Sequence, residues 1–149
     1  MEIRQATATD EEAVCRLWKM LLDFYRKEAT MEMLRRCFRY AVNHPEQIII
    51  YLAEIDGAAA GTASLHMGHY STWNDDFYGH VEDLVVDPHY RDRGIAEALL
   101  KVIMETAREH NLGRLELNCL NDNLPARKLY EKMGFKTDSV VYEHSLIDN

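Results

Sequence analysis

Two short stretches of this 149-residue chain gather groups able to do chemistry. In the first, "HVEDLVV" (80–86), the adjacent acids Glu82 and Asp83 interrupt an otherwise apolar strand. Side chains alternate along a regular strand, so one of the two would be driven toward the core. A β-bulge or a buried polar site resolves that conflict, and bulges tend to lie beside active sites. The plainer alternative is one solvated acid and one bonded to a neighbouring backbone group. In the second stretch, "YRDRGIAEALL" (90–100), Arg91, Arg93 and Gly94 stand at the start of an amphipathic helix. A helix start presents free backbone N–H groups and partial positive charge, so with two arginines it suits a phosphate or pyrophosphate. The turn lacks the Lys-Ser/Thr pair of a nucleotide P-loop and two of the three glycines of a dinucleotide fingerprint.

The elements that must hold these stretches alternate along the chain. "EIRQA" reads as a strand, and Thr9 with Glu12 as a capping box before a helix with Val14, Leu17, Trp18, Leu21, Phe24 and Tyr25 inward. A second helix spans Thr30 to about Asn43, closed by Pro45. "IIIYLAEI" and "AAAGTASLHM" form a hairpin through Asp56-Gly57, and "GHYSTWNDDFYG" reads as a long loop before the acidic strand. After the Gly94 helix come a strand "RLELNCL", a short helix "LPARKLYEKM" with Pro125 in its first turn, and a last strand "SVVYEHSLI". This is an α/β (α+β) pattern with a mixed sheet of six or seven strands.

Composition narrows the class. One domain over 1–149 is expected at this length. Lys plus Arg number 17 against 25 Asp plus Glu, a formal charge of -8, which argues against a nucleic-acid partner. Cys15, Cys37 and Cys119 lie far apart, without metal-ligand spacing, and read as reduced thiols. The polar start "MEIRQATATD" is no signal peptide, and "IIIYLA" is too short for a membrane span. A cytoplasmic protein without a metal is expected. His66 and His69 fall on opposite sides of a strand end and lack further ligands.

"VEDLVVDPHYRDRGIAEALL" and "NDNLPARKLYEKMGF" together resemble the GNAT superfamily of acyl-CoA-dependent N-acetyltransferases. Arg91-x-x-Gly94-x-Ala96 matches that family's pyrophosphate loop. Asn123-x-x-Ala126-x-x-x-Tyr130-x-x-x-Gly134-Phe135 matches its C-terminal motif. The opening "IRQATATDEEAV" is similar to the family's first strand and helix, so the resemblance covers essentially the whole chain. It implies a mostly antiparallel sheet flanked by about four helices, and acetyl-CoA as co-substrate. Backbone groups of Leu84, Val85 and Val86 would pair with the pantetheine arm. Those of Arg91, Asp92, Arg93, Gly94, Ile95 and Ala96 would hold the pyrophosphate. Asn123 would touch the pantetheine, and Tyr130 would sit near the thioester sulfur. Asp92 departs from the small residue usual at its position, so its carboxylate must point away from the phosphates.

The implied reaction sets three demands. A protonated alkylammonium with pKa about 10.4 must lose a proton, at a cost of roughly 4–5 kcal/mol at pH 7. Resemblance to diamine acetyltransferases assigns that base to Glu82, with Asp83 binding the amine or fixing the strand and His80 an alternative base. A backbone N–H of Leu84–Val86 can meet the developing oxyanion. Tyr130, a phenol, can protonate the departing thiolate, or else be a packing residue. Trp73, in a loop with Asp75 and Asp76, would suit a cationic acceptor, and the helix pair from Trp18 to Tyr40 would form the other acceptor wall. "STW" is similar to diamine and thialysine acetyltransferases, and "GHVEDLVVD" also to glucosamine-6-phosphate acetyltransferase. The acceptor is therefore expected among polyamines, aminosugars and amino acids. A protein N-terminus or lysine, or a non-catalytic acyl-CoA-binding regulator, is the alternative. The apolar last strand suggests a homodimer.

Overall fold

The computed structural model describes residues 1–137 and 139–147. The chain forms two compact units, Met1–Asn118 and Cys119–Asn149. The first holds strands β1 (Glu2–Gln5), β2 (Ile48–Ile55), β3 (Ala58–Ser71), β4 (Asp76–Val86) and β5 (Arg114–Glu116). Its helices are α1 (Glu11–Phe24), α2 (Met31–Asn43) and α3 (Ile95–Glu109). The sheet order is β1-β2-β3-β4-β5, antiparallel up to β4, with β5 parallel to β4.

Strand periodicity explains how two layers of helix attach. Ile50 and Leu52 share a buried cluster with Val14, Leu17 and Trp18 of α1 and with Leu34 and Phe38 of α2. Tyr51, between them, points the other way, and its hydroxyl lies 2.5 Å from Thr106 Oγ1 of α3. The sheet is thus covered by α1 and α2 on one face and by α3 on the other. Leu99, Leu100 and Ile103 of α3 are fully buried, as its helical spacing requires.

The second unit carries α4 (Leu124–Lys132), with Pro125 in its first turn. Asn123 Oδ1 accepts from Ala126 N at 3.4 Å as its cap. Gly134 follows with φ +91°, the left-handed turn that ends a helix.

Four local expectations are corrected. The capping box lies earlier, on the 3-10 turn Ala8–Asp10 that leads into α1, where the Asp10 carboxylate takes the Thr7 amide at 2.7 Å, and not at Thr9 and Glu12. Arg4 holds Asp10 with two bonds of 2.8 Å, which favours that cap over the later one. Most of the supposed loop 68–79 is strand, because Tyr70 packs edge-on against Phe77 and His69 stacks on Tyr78 across the hairpin. β5 stops at Glu116, short of the expected "RLELNCL". Among the described residues 139–147 there is no strand, so the sheet has five strands and not six or seven.

Candidate functional site

The conflict posed by Glu82 and Asp83 is resolved by a bulge. Ser64 pairs with Glu82 but Thr62 pairs with Val85, so β4 spends three residues where β3 spends two. Asp83 takes the extra place with φ +54°, a left-handed conformation that an aspartate tolerates better than a β-branched residue. Register keeps His66 opposite His80 and Ser64 opposite Glu82, so these four share one face. With Asp83 inserted, the following Val85 still lands in the α1/α2 cluster.

On that face lies a cavity of about 500 Å3. Trp18 and Leu22 of α1, with Met33, Leu34, Cys37 and Tyr40 of α2, form one wall. Ser64, His66 and Asp83 supply the polar groups on the sheet side. Burial is the main cause that pushes the Asp83 carboxyl up, to about 6; the Glu82 charge adds to it and Ser64 opposes it. Ser64 has one proton to share between that carboxylate and the Glu82 carbonyl, which its hydroxyl reaches at 3.2 Å. Burial also lowers the His66 pKa, against the opposing charge of Glu82, so the ring is neutral at pH 7. Glu82 Oε1 lies 2.9 Å from His80 Nδ1, yet that nitrogen makes no aligned hydrogen bond. The pair is a close contact only, and it counts for little as an anchor.

An acid whose folded pKa is raised stays protonated in the folded chain while the unfolded chain ionises. Asp83 therefore subtracts stability as pH climbs from about 4 to about 6, and the deficit is complete above that window. Asp83→Asn is expected to match wild type in urea unfolding near pH 4 and to exceed it near pH 7.5. Equal stability at both pH values would show that Asp83 is not desolvated.

Past the bulge, β4 leads into the second chemical stretch. β5 pairs with β4 only at Tyr78, Gly79 and His80. From Val81 to Val86, β4 has β3 on one side and no strand partner on the other among the described residues. Asp87 then anchors the turn. It is 5% exposed and accepts from Arg16 at 2.7 Å and from His89 N at 3.0 Å. Burial works against its charge, but these donors outweigh it and hold the carboxyl at about 2. That stabilisation is present above the ordinary carboxylate range and is lost as pH falls through it. Asp87→Ala is expected to cost about 1–3 kcal/mol in urea unfolding at pH 7, toward the lower end because Arg16 is partly solvated.

Gly94 caps α3 with φ +72°, without a side-chain cap, and Asp92 stands at φ +60°. A Cβ at Gly94 would meet nothing within 4 Å, so the space beside Gly94 itself is open. Arg91, Asp92 and Arg93 are exposed around it, and Arg93 lies 5.5 Å from the Tyr90 ring centroid. Uncommitted N–H groups of a helix start and two exposed guanidinium groups fit a pyrophosphate, and the edge of Val81–Val86 that has no strand partner among the described residues fits an arm with amide groups.

The structure thus brings Glu82, Asp83 and His80 to one face, and Leu84–Val86 and Arg91–Ala96 into one continuous run. Trp73 stands exposed in the turn between β3 and β4 and does not line the cavity. Asn123 and Tyr130 belong to the second unit; Tyr130 is partly buried, with its ring edge-on to Phe135 at 6.1 Å. Sequence reading passed over Ser64 and gave His66 only a metal role to reject. Their spacing of two on one strand, opposite Glu82 and His80, was the available signal.

A sheet with a bulged acidic strand, a cavity beside it and an anion-ready helix start describes a class of acyl-transferring enzymes. Residues 14–135 match the acetyltransferase (GNAT) family, and the chain belongs to that family of N-acetyltransferases. It is 29% identical over 139 residues to an uncharacterized N-acetyltransferase of Bacillus subtilis, covering 93% of this chain and 92% of the relative. Over 87 residues it is 33% identical to a glucosamine 6-phosphate N-acetyltransferase of Trypanosoma brucei brucei, covering 58% of this chain and 57% of that enzyme. A predicted acetyltransferase from Clostridium acetobutylicum, crystallised with acetyl-CoA, shares the fold with a TM-score of 0.81 at 21% identity, covering 97% of this chain and 96% of its own. No helix among the described residues is long and apolar enough to cross a membrane.

Proposed function

We propose that the chain transfers an acetyl group from acetyl-CoA to the primary amine of a small molecule, by direct attack within a ternary complex. The observation that carries this reading is that one strand, β4, carries the acid of the cavity and leads within eight residues of its end into a helix start with no side-chain cap. Acetyl-CoA supplies an activated acyl group. Backbone N–H groups from Arg91 to Ala96 bind its pyrophosphate, with Arg91 and Arg93 adding charge. The unpaired edge of Leu84–Val86 binds the pantetheine arm and offers a donor to the carbonyl oxygen.

Within the cavity Asp83 holds the ammonium, and Glu82, directly or through water, takes its proton. The amine nitrogen gains a bond to the acetyl carbon as the carbon–sulfur bond breaks, and Tyr130 gives its proton to the thiolate. The second proton that the nitrogen sheds on acylation restores the Tyr130 phenol through solvent, while Glu82 releases the first to water. Because Asp83 lines the cavity and carries a raised pKa, a second reading makes it the base. Direct attack requires both substrates to be bound together, so initial-rate plots at several fixed amine concentrations are expected to intersect. Parallel lines would show an acetyl-enzyme and overturn direct attack.

Val140, Val141, Tyr142, Leu146 and Ile147 are exposed, which supports a homodimer formed through residues 139–147. Light scattering is expected to give twice the chain mass, and Val141→Asp to halve it. A monomer at high concentration would dispose of the dimer.

A further inference from the structure

We infer that the acceptor is a monoamine carried on an apolar body, aromatic or branched aliphatic, with its ammonium against Asp83 and its body against Trp18, Met33 and Leu34. This rests on the proposed acetyl transfer to an amine and narrows the amine's class. The lining of the cavity decides between candidate acceptors. Asp83 is the only carboxylate among the lining residues and Arg36, exposed, the only guanidinium. A diamine or polyamine that placed one ammonium at Asp83 would put its next into the Trp18–Leu34 wall or toward Arg36. An unpaired charge against an apolar wall loses its hydration without compensation.

An aminosugar phosphate meets the opposite difficulty. Ser64, His66 and Asp83 on the sheet side and Tyr40 and Arg36 on α2 can serve some ring hydroxyls, whereas across the wall of Trp18, Leu22, Met33, Leu34 and Ile48 the only donor is Trp18 Nε1 and the only acceptor the weak Met33 thioether. Its phosphate would find one solvated guanidinium and no second cation in the lining. An apolar body reverses both balances. It removes the same side chains from water, while one carboxylate neutralises its one charge. The volume of about 500 Å3 holds a single ring with a short alkylamine arm.

The test compares 2-phenylethylamine and isoamylamine with spermidine and glucosamine 6-phosphate, by amine-dependent thiol release from acetyl-CoA. The apolar amines are expected to show kcat/KM at least tenfold higher. Met33→Glu, which adds a second carboxylate to the wall, is expected to lower 2-phenylethylamine turnover tenfold or more and to raise that of spermidine, with the melting temperature reporting the fold. In parallel, a Trp73→Phe protein leaves Trp18 as the sole tryptophan, since the chain has two. Its emission is expected to shift with 2-phenylethylamine and not with spermidine, whether or not turnover occurs.

A preference for spermidine or glucosamine 6-phosphate overturns the inference and leaves acetyl transfer to amines standing. An absence of thiol release with every amine overturns the transfer reading, and the Trp18 emission then decides whether the cavity takes apolar amines. A Trp18 emission unmoved by millimolar 2-phenylethylamine overturns the inference in either case.

Discussion

Arg91→Glu is expected to weaken acetyl-CoA binding by roughly a hundredfold, equivalent to about 2.7 kcal/mol, while leaving the fold unchanged. Arg91 is exposed beside a helix start that has no side-chain cap, so its replacement disturbs no packing. The substitution deletes one cation and adds one anion where a doubly charged pyrophosphate is read to sit. At an effective dielectric of about 20, unit charges 4 Å apart interact by about 4 kcal/mol, and solvent exposure trims that figure. In wild type, acetyl-CoA at about 100 times its Kd adds about 2.7 kcal/mol of stability, a rise of roughly 5–10 °C in Tm for a chain of this size. At the same concentration, now about equal to the mutant's Kd, the gain in Arg91→Glu is expected to fall to about 0.4 kcal/mol, a rise of about 1–2 °C. The mutant's deficit should also narrow as salt is added, because exposed charges are screened. A wild-type Tm unmoved by saturating acetyl-CoA would remove the cofactor assignment.

Tyr130→Phe and Glu82→Gln are expected to fail in different ways. Tyr130→Phe keeps the ring and its edge-on contact with Phe135, so the fold and acetyl-CoA affinity should be kept, with the melting temperature reporting any cost of losing the hydroxyl. Turnover should fall roughly ten- to a thousandfold if the phenol protonates the leaving thiolate. Glu82→Gln removes the proposed base, so kcat/KM should fall most at low pH. The loss should shrink as rising pH frees the amine in solution. Full activity in Tyr130→Phe would make Tyr130 a packing residue. A Glu82→Gln profile parallel to wild type, with the pH-dependent loss appearing in Asp83→Asn instead, would pass the base role to Asp83.

Local signals in the sequence placed most elements, and long-range assembly produced the rest. Thr30 before a helical run and Gly94 before another set the starts of α2 and α3 where they are found, because cap chemistry is local. The two adjacent acids announced a conflict that a bulge or a buried polar site could resolve, and the structure shows the bulge, at Asp83. That Asp83 and not Glu82 would line the cavity was not legible, because it depends on which of the two residues takes the left-handed φ. The strand content of 68–79 was hidden by polar and turn-forming residues whose stabilising partners lie across the hairpin. The cavity itself joins residues from Trp18 to Asp83 on five elements, and no periodicity encodes it.

The most direct measurement of the central claim is product balance: wild-type protein, acetyl-CoA and a primary amine, with free thiol and N-acetylamine counted together. One N-acetylamine is expected for each thiol released, at a rate that depends on the amine. Thiol release at the same rate without an amine, or with no N-acetylamine formed, would contradict acetyl transfer to an amine.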